Sequence, residues 1–126
     1  MPVQYSFHGN ILKLELIGQY QPDDVITTFV AAMNDPKCPQ PAPILLDVRQ
    51  SETLATAAVA DIRRVAEYVG PYAARVGGRV AVVAASDVHF GLSRLGSVYT
   101  EGVGVEAQVF RDVEGAIAWL GSPAKT

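Results

Sequence analysis

The sequence predicts an α/β fold, with a β-hairpin at the start of the chain followed by alternating helices and strands. Two stretches of alternating apolar residues, Tyr5–His8 and Ile11–Leu16, flank Gly9-Asn10, which suits a two-residue hairpin turn. Three apolar runs follow, separated by helix-periodic stretches: Ile44–Val48, Arg79–Ala85 and Val105–Phe110. This alternation requires parallel pairing with crossover helices. We therefore expect a five-stranded mixed sheet with four helices, in which the hairpin supplies the antiparallel member.

The composition predicts a single domain over residues 1–126 and excludes several classes of protein. With 49% hydrophobic and 18% charged residues, the chain lies outside the range of disordered proteins. A formal net charge of -3 without a Lys/Arg cluster argues against nucleic-acid binding. No apolar run approaches the roughly 18 residues of a membrane span, and no signal peptide is visible. With one cysteine as well, we expect a cytoplasmic protein.

The second helix is expected to extend over Leu54–Val69 as one element. Its apolar residues recur at helical spacing, with Ile62 at the centre of the buried face and Asp61 directed outward. Leu92 occupies the same central position in the third helix. We expect both Ile62 and Leu92 to belong to the core.

The segment between the first helix and the third strand is predicted to be an irregular surface loop. It holds four prolines between Asp35 and Pro43. Cys38 lies in this segment, and no neighbour in sequence would activate it. We expect a solvent-facing thiol without a role.

Candidate binding residues follow the carboxyl ends of the parallel strands, where ligands bind in open α/β sheets. These residues are Asp47, Ser51, Thr53, Ser86, Asp87, His89 and Phe90. Helix capping accounts for Ser86 and Asp87, and for Asp112 before the last helix, without any further function. Asp47 ends a buried strand and can cap the turn that follows.

The sequence predicts no catalytic residues, no metal and no cofactor. Ser, His and Asp are all present near the strand ends, but no G-x-S-x-G turn is, and His89 falls in the first turn of its helix. His8, His89 and Cys38 are scattered without the spacing of metal ligands. We therefore expect that the protein is not an enzyme.

The end of the chain resembles one known group of proteins. A strand, Phe110-Arg111-Asp112, a helix and Trp119-Leu120 follow one another there, and Ser86-Asp87 follows the fourth strand. Together with the hairpin start, this pattern resembles the SpoIIAA-like group of the STAS superfamily, which is related in fold to CRAL-TRIO lipid-binding domains. The resemblance extends over about residues 3–121. It implies a sheet with helices and a switch or binding role rather than catalysis.

The phosphorylation motif of that superfamily is not carried over. In its anti-sigma-factor antagonists, a partner kinase phosphorylates a serine in an Asp-Ser-Ser-Gly motif after the third strand. Here Asp47 matches the strand-end aspartate, but no Asp-Ser-Ser-Gly follows, and Ser51 and Thr53 occupy the neighbourhood without the motif.

Three functions remain open from the sequence, the last of them an enzyme, which would need His89 near a nucleophile. The first is a non-catalytic interaction or regulatory module that binds a protein partner, or a second copy of the chain, through a partly apolar surface around Ser51–Thr56. The alternative is a small-molecule or lipid-binding module. It would have an apolar pocket at the strand carboxyl ends, lined by residues such as Leu54, Phe90 and Tyr99.

Overall fold

A computed structural model describes residues 2–122 and contains a five-stranded sheet with the strands in chain order. The strands are β1 (Val3–His8), β2 (Ile11–Gly18), β3 (Ile44–Ser51), β4 (Arg79–Val83) and β5 (Glu106–Phe110). β1 pairs antiparallel with β2, and every other neighbouring pair is parallel. Gly9 has a φ of 61° in the hairpin turn, a conformation that glycine adopts without strain. The predicted mixed sheet and its antiparallel hairpin are confirmed.

Four α-helices cover the two faces of the sheet. They are α1 (Pro22–Met33), α2 (Val59–Glu67), α3 (Asp87–Gly102) and α4 (Val113–Leu120). Successive residues of a strand point to opposite faces, so Ile44 joins the larger hydrophobic cluster on the side of α1, whereas Leu45 joins a smaller cluster with Ala116 and Leu120 of α4. The helices α1, α2 and α3 therefore lie on one face and α4 on the other. None of the helices within residues 2–122 is long and apolar enough to cross a membrane.

Two helix starts have the caps that the sequence predicts. The Ser86 hydroxyl accepts the backbone N–H of His89 at 3.1 Å, and the Asp112 carboxylate accepts the N–H of Gly115 at 2.7 Å. Each bond satisfies a donor that the first turn of a helix leaves without an intrahelical partner.

The second helix is shorter than predicted. Instead of one helix over Leu54–Val69, a 3-10 turn (Leu54–Thr56) precedes α2 and another (Gly70–Tyr72) follows it. The Ser51 hydroxyl accepts the Leu54 N–H at 3.1 Å and ties the first turn to the end of β3. The backbone then runs extended through Ala58, with ψ of 144°, before α2 begins.

Three expected burial states are wrong. Ile62 and Leu92 are only partly buried and line a cavity instead of joining the core. Cys38 is 8% exposed and belongs to the larger cluster, so its thiol is not solvent-facing. The preceding turn is tied down because Asp35 accepts hydrogen bonds from the Tyr5 hydroxyl at 2.8 Å and from the backbone N–H of residue 37 at 2.9 Å.

Candidate functional site

A cavity of about 890 Å³ separates α2 from the sheet, and we call it the interlayer cavity. Apolar side chains from the sheet and from all three helices of that face form most of its lining. They are Leu14, Leu16, Ile44, Leu46, Val48, Val80, Val82, Ala107, Val25, Ile26, Phe29, Ile62, Val65 and Leu92. The cavity exists because α2 has no fully buried residue between Val59 and Glu67 and lies away from the strands.

Contacts with α1 and α3 hold α2 in this raised position. The Thr100 hydroxyl on α3 donates to the Ala66 carbonyl on α2 at 3.1 Å. The Arg63 guanidinium lies 5.3 Å from the centre of the Tyr99 ring, a cation–π distance. On the other side, Arg64 forms an ion pair with Asp23 in the first turn of α1. The helix therefore spans the gap between α1 and α3 as a roof over the sheet.

The mouth of the cavity lies at the carboxyl ends of β2 and β3. Tyr20 joins the loops that follow these strands, since its backbone N–H donates to the Thr53 hydroxyl at 2.9 Å and its own hydroxyl lies 2.7 Å from that of Ser51. Burial raises the pKa of Tyr20, although the hydrogen bond with Ser51 acts in the opposite direction. The phenol therefore stays neutral at physiological pH and helps to fix the shape of the mouth.

One wall of the cavity is polar. Ser93, Ser97 and Thr100 lie on the inner face of α3, and all three are at least nine-tenths buried. The Ser97 hydroxyl donates to the carbonyl of Ser93 at 2.9 Å, and Thr100 bonds to α2. Ser93 itself is 7% exposed, and its hydroxyl makes no hydrogen bond within residues 2–122. It therefore offers a ligand an unused donor and acceptor inside an apolar space.

The structure brings two of the predicted site residues to this mouth. Thr53 lines the cavity, and Ser51 lies behind it at 4% exposure. The Ser51 hydroxyl contacts Tyr20 and the backbone of Leu54, so its position is that of a structural bridge between loops. A partner-binding role for Ser51 and Thr53 stays a prediction.

Asp47 lies on the opposite face of the sheet, away from the cavity. Its carboxylate accepts hydrogen bonds from the Arg49 side chain at 3.0 and 2.7 Å and from the Arg49 backbone N–H at 3.1 Å. Burial alone would raise the pKa of Asp47, but the hydrogen bonds and charge of Arg49 outweigh it and lower the pKa. The geometry is that of a structural ion pair.

The remaining predicted residues gather at the ends of β4 and β5. Arg111 donates to the Asp87 carboxylate and lies 4.3 Å from the centre of the Phe90 ring. The Ser86 hydroxyl is used by the backbone of His89 rather than by its imidazole. His89 is 9% exposed, and its Nδ1 has no hydrogen-bond partner within residues 2–122. This cluster does not line the interlayer cavity.

An apolar pocket was predicted at the strand ends, and its lining differs in part from expectation. Leu54 lines the interlayer cavity, as predicted. Phe90 and Tyr99 do not, because their rings lie under the guanidinium groups of Arg111 and Arg63. Within the described residues, no group of three or more His, Cys, Asp or Glu side chains could hold a metal ion.

Tyr20 and Ser93 are among the residues of the cavity that sequence reasoning missed. A signal for Ser93 was present, since Ser93, Ser97 and Thr100 recur at helical spacing on the face that also carries Leu92 and Gly96. Small polar residues on an inward helix face indicate that the face is not packed against an apolar layer. Tyr20 lies in a loop, and its partners are about 30 residues away in sequence, so no local pattern marks it.

Comparison with known proteins agrees with the observed architecture. No protein family and no curated protein matches the sequence. A solved structure from Shewanella loihica PV-4, described as an uncharacterized protein from the DUF3478 family with a SpoIIAA-like fold, is similar in three dimensions. The match has a TM-score of 0.59 and 18% sequence identity, and it covers 94% of this chain and 91% of the other. The resemblance expected from the sequence is confirmed at the level of architecture, and the chain has a SpoIIAA-like fold.

Proposed function

We propose that the protein is a non-catalytic binding module that takes a small apolar ligand into the interlayer cavity. The observation that carries this proposal is the volume of about 890 Å³ between α2 and the sheet. Pockets that enclose small molecules measure roughly 300–1,000 Å³, so the space suits a ligand of ordinary cofactor or lipid size.

The chemistry of the lining favours an apolar ligand. The sheet contributes Leu14, Leu46 and Val82 to the floor, and α2 contributes Ile62 and Val65 to the roof. Protein interiors are normally close-packed, and a space of this size forfeits contacts that a ligand would restore. The polar groups of the lining lie on α3 and at the mouth, which matches sites where a few placed polar groups orient a mostly apolar molecule.

Ser93 is the group that would orient the ligand. Ser93 is 7% exposed at the cavity wall, and its hydroxyl makes no hydrogen bond within the described residues. The hydroxyl is therefore free to bond to a carbonyl or hydroxyl of a ligand.

The proposal is tested with the neutral fluorescent probe N-phenyl-1-naphthylamine, whose emission rises in apolar surroundings. Wild-type protein is expected to give a saturable increase. Ser93→Leu and Val65→Trp each take up part of the cavity from a different wall and are expected to weaken binding of the probe. Val98→Leu is the matched control, because Val98 lies on the same helix as Ser93 but is 63% exposed.

Circular dichroism accompanies each titration, so that loss of probe binding is counted only in folded variants. No saturable increase in the wild type would overturn the proposal. Equal affinity in wild type and in both filled variants would place the probe elsewhere on the surface and have the same consequence. The predicted protein-partner surface around Ser51–Thr56 stays a prediction.

A further inference from the structure

The mouth of the interlayer cavity carries charge of one sign. Three carboxylates line it: Asp24 in the first turn of α1, Glu52 after β3, and Asp61 in the first turn of α2. No Lys, Arg or His of the described chain is part of the lining. The charged rim is therefore acidic, while the interior behind it is apolar.

The arginines closest in sequence to Asp61 are bound to other groups. Arg63 pairs with Glu67 at 3.1 Å, and Arg64 pairs with Asp23. Within residues 2–122, neither Glu52 nor Asp61 has an ion-pair partner. Their charges remain available to a ligand.

Helix dipoles do not reverse this field. α1 and α2 both begin at the mouth, and each helix N-terminus is equivalent to about half a positive charge. Two such ends cannot offset three carboxylates. An anionic headgroup would meet repulsion at the rim without a basic side chain to hold it, whereas a cationic headgroup would be attracted by Glu52 and Asp61.

We infer that the ligand of the interlayer cavity is a cationic amphiphile, an apolar molecule that ends in an amine. The inference rests on the proposed function and deepens it. The apolar body occupies the space between the sheet and α2, with Ser93 available for a polar group along its length. The ammonium end lies among Asp24, Glu52 and Asp61.

Three probes of equal chain length test the inference, namely dodecylamine, dodecanol and dodecanoate. At neutral pH the amine is protonated and the acid ionised. The amine and the acid are titrated below their micelle concentrations, and the alcohol below its solubility limit, against protein loaded with N-phenyl-1-naphthylamine. Dodecylamine is expected to displace the probe at about tenfold lower concentration than dodecanoate, with dodecanol between them. High salt is expected to narrow the difference, because the rim is open to solvent.

The double variant Glu52→Gln, Asp61→Asn is expected to reduce the preference for the amine to about twofold. Glu101→Gln, Glu114→Gln is the matched control, since it removes the same net charge from exposed positions outside the lining and leaves the preference unchanged. Displacement by dodecanol, with dodecanoate at least as effective as the amine, would overturn the charge inference alone. No displacement by any of the three would overturn the proposed function and the inference together.

Discussion

α2 and α4 are helices of nearly equal length that meet the same sheet in opposite ways. α4 has eight residues, and two of them are buried: Ala116 at 0% and Leu120 at 7% exposure. α2 has nine residues, none of them fully buried. The small side chain of Ala116 lets α4 approach the strands closely, whereas Ile62 and Val65 of α2 face an open space.

The ends of the two helices differ as well. The Asp112 carboxylate caps the start of α4, and the Arg79 guanidinium donates to the carbonyls of Trp119 and Ser122, each at 2.8 Å, at its end. α2 begins at Val59, and its N-cap residue, Ala58, provides no side-chain cap. Its stability comes from neighbouring helices rather than from the sheet. α4 therefore packs directly on the strands, whereas α2 leaves a cavity between itself and the sheet.

The largest expected effect comes from truncating one apolar residue in each helix. Leu120→Ala should destabilise the protein by about 2–5 kcal/mol, because it leaves a void in a packed layer. Ile62→Ala enlarges a cavity that already exists, and we expect it to cost less than about 1 kcal/mol. Urea unfolding of both variants measures the difference. Equal losses would mean that α2 packs on the sheet in solution and that the cavity is closed.

Enlarging a side chain in each layer, instead of truncating one, should give a smaller difference in stability between the two layers. Ala116→Leu forces a larger side chain into a filled space and should cost about 1–3 kcal/mol. Ser93→Leu places a similar side chain in the interlayer cavity and should be neutral or stabilising by up to about 1 kcal/mol. Thermal unfolding of both variants provides the measurement. Strong destabilisation by Ser93→Leu would argue against available space beside α3.

Most of the fold could be predicted because local signals agreed with the final architecture. The turn at Gly9-Asn10, the caps Ser86 and Asp112, and the alternation of strands and helices each depend on neighbouring residues. The second helix was predicted too long because its apolar spacing already begins at Leu54. The contact that ends this regularity is tertiary. The Leu54 N–H donates to the Ser51 hydroxyl and so anchors a separate 3-10 turn there, and no periodicity reveals this contact.

The candidate site was less predictable because a cavity depends on how far two layers stand apart. The apolar stripe of α2 indicates a buried face but not the distance to the surface that it faces. Ile62 and Leu92 were therefore assigned to the core, and Asp61 was expected to point outward although it lines the mouth. The rule that ligands bind at the carboxyl ends of parallel strands predicted a site near Thr53. The same rule equally predicted a site at the cluster around Phe90.

The face of the sheet that carries α4 also contains an ion pair, between Asp47 and Arg49. Asp47→Asn should lower the free energy of unfolding at neutral pH by about 1 kcal/mol, because it breaks the hydrogen-bonded pair with Arg49. The pKa of Asp47 is lowered in the folded protein, so its contribution is present above the pKa of the unfolded chain and is lost as the pH falls through the folded value. Urea titrations across the acid range should show the two proteins converging. A constant difference at all pH values would assign the effect to lost packing.

The smallest expected effect concerns the ion pair that joins α1 to α2. Asp23 and Arg64 are both exposed, and pairs of this kind contribute between zero and about 1 kcal/mol, so Asp23→Asn should barely change global stability. The effect of Asp23→Asn should be local, because α2 is held by contacts with its neighbouring helices and does not pack on the sheet. Amide hydrogen exchange is expected to become a few times faster in α2 and to stay unchanged in α4. Glu114→Gln, which removes a charge from the first turn of α4, is the control and should leave α2 unaffected. Equally faster amide hydrogen exchange in both helices after Asp23→Asn would mean that α2 opens only when the whole molecule unfolds. The roof of the cavity would then be as stable as α4 on the opposite face.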